Sequence, residues 1–389
     1  MPTASDQLTP QTSDRLTWDV PRRRIFFLLS SFVLVALVLI ALIGYRECWQ
    51  ALRSASPLPI VCALLIMAAG WLAWALLYKV LLDSFARKVS LRSLLYLVLV
   101  GLAAVRLLPS AGASGAAARF YFWRRAGVST SEVLTVLVAS EVAFYFGLVL
   151  LLWVGLVDLW MTAHLTHRLV TSVAVISVVV TLLIIAIAIF ITSDLDQTRF
   201  FRSFIRSFEF LLTKSPLRNR FVPSLAKWRE LMKEIRTDIR RLMKRPIYLL
   251  VAGFCALLWW LANLLSLVAV FAGFHAEATW GALLVAMVFG ALAGSLAGMV
   301  AGLGVHEATM LGTLSMVGLE FQKAAIAVMV FRFIEFWLPI PLGVVCTNLL
   351  LGTLSSPQDA EGSGSFTPST AFDTEAAPKY NDPPATGER

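Results

Sequence analysis

Charge is scarce in this chain, and so is histidine. Of 389 residues only 15% are Asp, Glu, Lys or Arg and four are histidine, while 58% are hydrophobic and the mean hydropathy is +0.78. A soluble domain of this length cannot hide so much apolar surface, which excludes a water-soluble globular protein. The four cysteines, Cys48, Cys62, Cys255 and Cys346, stand singly. They lack the paired spacing of a metal or redox site and read as ordinary membrane-embedded or interfacial residues. Neither a glycine-rich phosphate loop nor a kinase signature is present, so nucleotide-driven chemistry has no motif to carry it. No cofactor, no metal and no nucleic-acid partner is expected.

What the chain has in abundance is apolar runs of membrane length. The first, Ile25 to Gly44, covers about 20 residues, enough for roughly 30 Å of hydrocarbon. No small-residue cleavage site follows it, which makes it an uncleaved signal-anchor. Further runs occupy 58–78, 93–108, 132–157, 169–192, 247–274, 280–299 and 324–350. Residues 1–17 and 351–389 lack periodicity, the latter being rich in Ser, Pro, Gly, Thr and Ala, and both are expected to be disordered. Between them lies one transmembrane unit, 18–350: a first half 25–192, a basic amphipathic loop 193–246 and a second half 247–350.

Orientation follows from the basic loops, because cytoplasmic connections carry the excess of Lys and Arg. Arg22, Arg23 and Arg24 put the N-terminus inside. Lys79, Arg87, Lys88 and Arg92 put a second connection there, and Arg124 and Arg125 a third. Segment 199–245 holds 14 Lys or Arg against 4 Asp or Glu, a surplus larger than the whole chain's +9. The connection 158–168, with Asp158, His164, His167 and Arg168, falls outside. The expected location is the cytoplasmic membrane with both termini cytoplasmic. Within the basic segment, Phe200, Phe201, Phe204, Ile205, Phe208, Leu211 and Leu212 form one helical face. Leu225, Trp228, Leu231, Met232, Ile235, Ile239 and Leu242 form another. That is the pattern of helices lying on an anionic leaflet, or of a connector packed on the bundle.

The same parity makes residues 93–125 begin and end inside, broken at "LLPSAGASG", and residues 275–321 begin and end outside, broken at "GMVAGLG". Both re-entrant legs and full crossings satisfy it. The two breaks align: Gly127 precedes Glu141 by 14 residues, as Gly318 precedes Arg332, while Gly115 to Gly127 is 12 and Gly304 to Gly318 is 14. Charge signs are exchanged, Arg119 and Glu141 in the first half against Glu307 and Arg332, with Glu335, in the second. The expected fold class is therefore all-α. It is a polytopic membrane helical bundle of about 6 full spans plus two glycine-broken hairpins related as an inverted repeat, a pattern that places substrate sites near the bilayer midplane.

The breaks suit a polar site. Gly112, Gly115, Gly302 and Gly304 permit tight turns and close approach, and Pro109 ends a leg by removing a donor. Amides opening each short helix can face an anion, with Arg119, Arg106 and Arg332 adding charge-assisted contacts. The competing reading makes Arg119, Glu141, Glu307 and Arg332 structural ion pairs. Glu335, three residues after Arg332, is placed for a local pair; His306 lines a cavity or has a partner; Asn263 is expected to bond between helices.

At these residues the sequence resembles a known family, the transmembrane region of lysylphosphatidylglycerol synthase/flippases, the flippase-like or AglD-type membrane family, over most of 20–350. "GLGVHEATMLG", "GLEF" and "FRFIEFWLPIPLG" are similar to its Gly-Leu-Gly-Val-Arg-Glu, turn and Leu-Pro segments, and "LLPSAGASGAAARFYFWRRAGVS" to its Pro-Gly-rich segment. The resemblance marks Pro109, Gly115, Arg119, Glu141, Gly302, Gly304, Glu307, Arg332 and Pro339. Met299, Val300 and Ala301 stand where the family has a proline before the second glycine turn, and His306 where arginine is common. No soluble aminoacyl-transferase domain follows residue 352, so synthase activity is not expected. The resemblance implies movement of an anionic, aminoacylated or polyprenyl/hopanoid-type lipid by alternating access, with Glu141, Glu307 or Glu335 as candidate proton carriers.

The rival readings are a lipid-linked glycosyl or headgroup transferase, for which Asp194 and Asp196 in "SDLDQ" would supply a metal-binding pair, and an accessory subunit of lipid synthesis. Expected partners are membrane lipids, the anionic inner leaflet through the 199–245 loop, a lipid-synthesis enzyme and a second copy of the chain. The topology has a direct check. Single cysteines placed at position 215 and at position 165 of a cysteine-free variant should be labelled by an impermeant thiol reagent from opposite sides of the membrane, and labelling from the same side would overturn the parity.

Overall fold

A computed structural model describes residues 45–107, 112–162, 225–297 and 302–355, together with a few positions between 171 and 182. The expected first span at 25–44, Pro109, Met299, Val300, Ala301, residues 199–224, Asp194, Asp196 and both terminal segments lie outside the described residues. Among the described residues there are helices and no strand, so the chain is an all-helical membrane bundle. In chain order the helices are α1 (Tyr45–Ser54), α2 (Pro57–Asp83), α3 (Leu91–Leu107), α4 (Ala113–Arg125), α5 (Thr130–Thr162), α6 (Leu225–Met243), α7 (Pro246–Gly273), α8 (Trp280–Leu296), α9 (Val305–Met316), α10 (Phe321–Arg332) and α11 (Pro339–Ser355), with a π-helical turn, Phe333–Trp337, joining the last two. Among the described residues, four stretches are long and apolar enough to cross a membrane: Pro57–Asp83, Thr130–Asp158, Pro246–Gly273 and Phe321–Leu351.

Local chemistry sets the boundaries. Pro57 and Pro246 open α2 and α7, where a missing N–H leaves nothing unsatisfied, and Thr279 accepts from the amide of Ala282 at the start of α8. Pro339 explains the π turn. It has no N–H for the carbonyl of Glu335, four residues back, and the ladder shifts register, with Leu338 N–H donating to the carbonyl of Phe333 at 2.9 Å.

In lipid the hydrophobic effect does not hold helices together, so backbone proximity and interhelical hydrogen bonds must. The core pair is α2 on α7. A methyl group placed on Gly70 would sit 2.9 Å from Cβ of Ala262, and the Ser266 hydroxyl donates to the carbonyl of Ala63 at 3.1 Å. The two short-helix units are zipped in the same way. α4 lies on α3 with Gly115 against the carbonyl of Gly101, and the Ser114 hydroxyl donates to the carbonyl of Ala104 at 2.9 Å. α9 lies on α8, where Gly302 meets the backbone of Gly294. Gly343 of α11 packs on the backbone of Leu99 in α3, tying the last helix to the first unit.

Polar contacts sort the connections into two groups. At one end Arg87 pairs with Glu132 at 3.0 Å, the Ser131 hydroxyl donates to Asp238 at 2.8 Å, and Arg245 donates to the carbonyl of Ser84 at 2.9 Å. Segments 84–92, 124–132 and 238–245, all assigned to one side by their basic residues, are thus gathered together. At the other end the amide of Ser56 donates to the carbonyl of Gly273 at 2.8 Å and the amide of Gly281 donates to Asp158 at 2.8 Å. The second apolar face of the basic loop is α6. Its C-terminal turns pack on the bundle, with Leu242 and Asp238 buried, so this part is a docked connector.

The close contact on α9's approach gives a stability test. Gly302 has φ +70°, and an added Cβ would collide with the Gly294 backbone. Gly302→Ala should therefore lower the thermal stability of the detergent-solubilised protein by roughly 1–3 kcal/mol. Gly312→Ala, in α9 with open space around it, should leave stability unchanged or raise it by up to about 1 kcal/mol. Thermal unfolding of both variants reads the contrast.

Candidate functional site

Two left-handed glycines open the short helices: Gly112, φ +90°, before α4 and Gly304, φ +84°, before α9. Each helix also ends at one, Gly127 with φ +80° and Gly318 with φ +86°. No other residue type adopts this backbone without strain, which is why glycine stands at all four. The structure thereby changes one sequence alignment. The partner of Gly304 is Gly112, whereas Gly115 lies inside α4, where its missing side chain lets α4 approach α3. Counted from these caps, Arg119 and Glu307 are not at equivalent positions, while Glu141 and Arg332, both 14 residues after a left-handed glycine, are.

At α9 the N-terminal amide is answered from within the chain. Glu307 accepts from Gly304 N–H at 2.6 Å with one carboxylate oxygen and from Arg332 Nε at 2.6 Å with the other. Arg332 also pairs with Glu335, as the three-residue spacing predicts, and Arg106, in the last turn of α3, reaches Glu335 from the opposite unit at 3.2 Å. Arg106, Glu335, Arg332 and Glu307 form one continuous chain of charges, two of each sign. Both arginines lie over Phe336, at 5.4 and 4.9 Å from guanidinium carbon to ring centre.

Arg119 is different. It is 4% exposed and lies over Trp74 at 5.1 Å and Tyr78 at 5.5 Å. Its Nε has no hydrogen-bond partner, and among the described residues it makes no ion pair. The guanidinium fits because residue 101 is glycine: a Cβ there would lie 2.8 Å from Arg119 Nε.

These groups converge on a cavity of about 640 Å³, within the size range of small-molecule sites. Arg106, Arg119, Glu141, His306, Arg332 and Glu335 line it together with Gly112 at the start of α4. Glu307 does not line the cavity; it caps α9 and fixes Arg332 from behind. Gly302 and Gly304 likewise serve the packing of α9. Asn263 lines the cavity too, but its amide donates to the carbonyl of Trp259 one turn back on its own helix, at 2.8 Å, and not between helices as expected.

Sequence reading missed the aromatic wall. Trp74, Phe144, Trp259 and Trp260 line the cavity and pack edge to face, with ring centres 4.7 Å apart for Trp74–Phe144 and 4.6 Å for Trp259–Trp260. Tryptophan belongs by habit at the membrane interface, so its position in the middle of α2 and α7 was the available signal. Unpartnered buried nitrogens are gathered here: Arg106 Nη1, Arg119 Nε, Arg332 Nη2, Trp74 Nε1, Trp259 Nε1 and His306 Nε2. All but the histidine, whose tautomer decides, are obligatory donors, and a buried donor left unsatisfied costs about 1–3 kcal/mol. The cavity is built to meet oxygen acceptors.

A family model described as the lysylphosphatidylglycerol synthase TM region matches residues 27–343. The chain belongs to this family. Among relatives of the lysylphosphatidylglycerol synthase TM region, it is similar to a UPF0104 membrane protein of Methanothermobacter thermautotrophicus, 22% identical over 325 residues that cover 82% of this chain and 93% of the relative. It is also similar to the UPF0104 membrane protein PH1989 of Pyrococcus horikoshii, 21% identical over 325 residues that cover 82% and 95%. Together with the apolar helices, the family membership establishes a multi-pass membrane protein.

The charge chain makes a folding prediction. Glu307→Ala removes the cap and one of the two carboxylates that hold Arg332, leaving Arg106 and Arg332 to share Glu335, and should destabilise by ~3–5 kcal/mol through the uncompensated positive charge. Adding Arg332→Met should recover part of that loss. A double-mutant cycle on thermal or SDS-induced unfolding measures it, and purely additive losses would show that the pair is not coupled.

Proposed function

We propose that this chain is a lipid transporter: a flippase that moves a phosphate-bearing lipid across the cytoplasmic membrane, with the headgroup in the cavity and the acyl chains in the bilayer. The observation that carries this reading is the set of unpartnered, buried arginine donors facing one cavity inside an apolar bundle. A charge held in that environment without a counterpart costs several kcal/mol, and an anionic headgroup supplies the missing acceptors when it enters.

The arrangement of the two short-helix units supports alternating access. Each begins and ends at left-handed glycines. The contacts described above put the entry and exit of residues 91–125 beside the segment 84–92 and 124–132 cluster, and residues 275–281 beside Ser56 and Asp158 at the other end. We read them as inverted, re-entrant halves of one device. Rocking of one unit against the other would break and remake the contact between Arg106 and Glu335, the ion pair of the charge chain that joins α3 to the second unit. In this reading the side bearing the basic connections and both termini is cytoplasmic, and α6 lies beside the anionic leaflet. The membrane domain carries no catalysis, and the movement is passive or ion-coupled.

Reconstituted full-length protein in liposomes bearing headgroup-labelled phospholipid tests the proposal. Wild type should accelerate headgroup translocation over protein-free liposomes, and Arg119→Gln should reduce the rate at least tenfold while retaining its elution profile and thermal stability. Absence of translocation by folded wild type under any ion gradient overturns the transporter. Transfer that needs a nucleotide-activated donor would identify a transferase instead.

A further inference from the structure

The charges facing the cavity are not all available to a ligand, and which remain decides what the ligand must look like. Arg106 and Arg332 are held by Glu335 and Glu307 in a chain with equal numbers of positive and negative groups. Their spare nitrogens can donate, but their charge is already balanced. Two lining charges are left over. Arg119 sits over Trp74 and Tyr78 with Nε unpartnered. Glu141, on α5, is accessible in the cavity and has no hydrogen bond or ion pair among the described residues. The two act on each other electrostatically, yet among the described residues they do not close into a pair.

A simple anion satisfies Arg119 but brings its charge towards Glu141, which has nothing to offset it. A simple cation does the reverse. A ligand with one charge of each sign answers both. Glu141 also shares its helix face with Phe144 and Tyr145, three and four residues on, and both line the cavity, with Trp259 packed 5.2 Å from Phe144 between ring centres. A carboxylate beside aromatic faces is the environment that holds an ammonium, through Coulomb attraction and the ring quadrupole together. Arg119, by contrast, lies over Trp74 and Tyr78, and Gly112 and Ala113 at the start of its own helix α4 line the same cavity, where a helix N-terminus favours a phosphate.

We infer that the cavity is a two-point site for a zwitterionic phospholipid headgroup, its phosphate at Arg119 and its ammonium at Glu141 within the aromatic wall. This rests on the reading that the cavity holds the headgroup. It assigns to Glu141 the role of selecting zwitterionic over purely anionic lipids.

Binding by the full-length protein in detergent micelles, measured by calorimetry, tests it with three soluble short-chain lipids: dihexanoyl phosphatidylethanolamine, phosphatidylglycerol and phosphatidic acid. Wild type should bind the ethanolamine lipid about tenfold or more tighter than either anionic lipid. Glu141→Gln should abolish that preference by weakening the ethanolamine lipid alone, leaving the anionic lipids as they were or tighter. Gly101→Ala, which displaces the Arg119 guanidinium and keeps both charges, should weaken all three. Equal or tighter binding of the anionic lipids by wild type overturns the inference and needs no variant. So does a Glu141→Gln protein of unchanged thermal stability that weakens all three lipids alike. The transporter reading fails separately: tight, selective binding without translocation in liposomes would leave the zwitterion site standing and remove the flippase. Translocation of the anionic lipid alone would do the opposite.

Discussion

An arginine at the centre of an apolar helical bundle must be matched, and Arg332 is the one on which this structure turns. It is 3% exposed and held between Glu307 and Glu335. Glu307 spends its second oxygen on the amide of Gly304, so the pair that neutralises Arg332 also starts helix α9. Glu335 faces inward from the π turn that Pro339 enforces, and there it takes Arg106 from α3. Remove any member and the four-group chain is left with one unbalanced charge inside the bundle. The bundle's two halves are joined through this constraint as much as through their small-residue contacts.

With that cluster balanced, the remaining groups acquire meaning. Arg119 and Glu141 occupy the same cavity and, among the described residues, neither closes an ion pair, while the unpartnered buried nitrogens of the arginines and tryptophans beside them are donors. A wall of four mutually packed aromatic rings gives the space a fixed shape, and Trp260 is further fixed by donating to the carbonyl of Phe144 at 2.8 Å. A polar pocket of this kind, set within an apolar bundle and lined by unpartnered donors, has the chemistry that the proposed phosphate headgroup requires.

Much of this was legible in the sequence because membrane helices leave long, plain signals. Runs at 58–78 and 132–157 lie within helices α2 and α5, the run at 247–274 coincides with α7 to within one residue, and the three connections assigned to one side by their basic residues meet through Arg87–Glu132, Ser131–Asp238 and Arg245–Ser84. The spacing of Arg332 and Glu335 announced their pair. Other features had little or no one-dimensional trace. Gly112 and Gly115 are both glycines three residues apart, and only the backbone angle separates the helix cap from the packing contact. Whether Glu307 faces a ligand or an arginine depends on α9 folding back on α10, which spacing does not encode. The aromatic wall left only one trace, tryptophan away from the helix ends, because Trp74 and Trp259 are distant in sequence and spacing does not bring them together. Asn263 was misassigned because the carbonyl one turn back, which keeps a second lone pair beside its helical bond, competes with any neighbouring helix.

The central claim is that a lipid headgroup occupies the cavity at Arg119. Native mass spectrometry of the gently solubilised full-length chain addresses it most directly. Wild type should carry one phosphorus-containing lipid that survives delipidating detergent, and folded Arg119→Gln should lose it under the same conditions. Retention of the same lipid at the same occupancy by the variant would contradict the account.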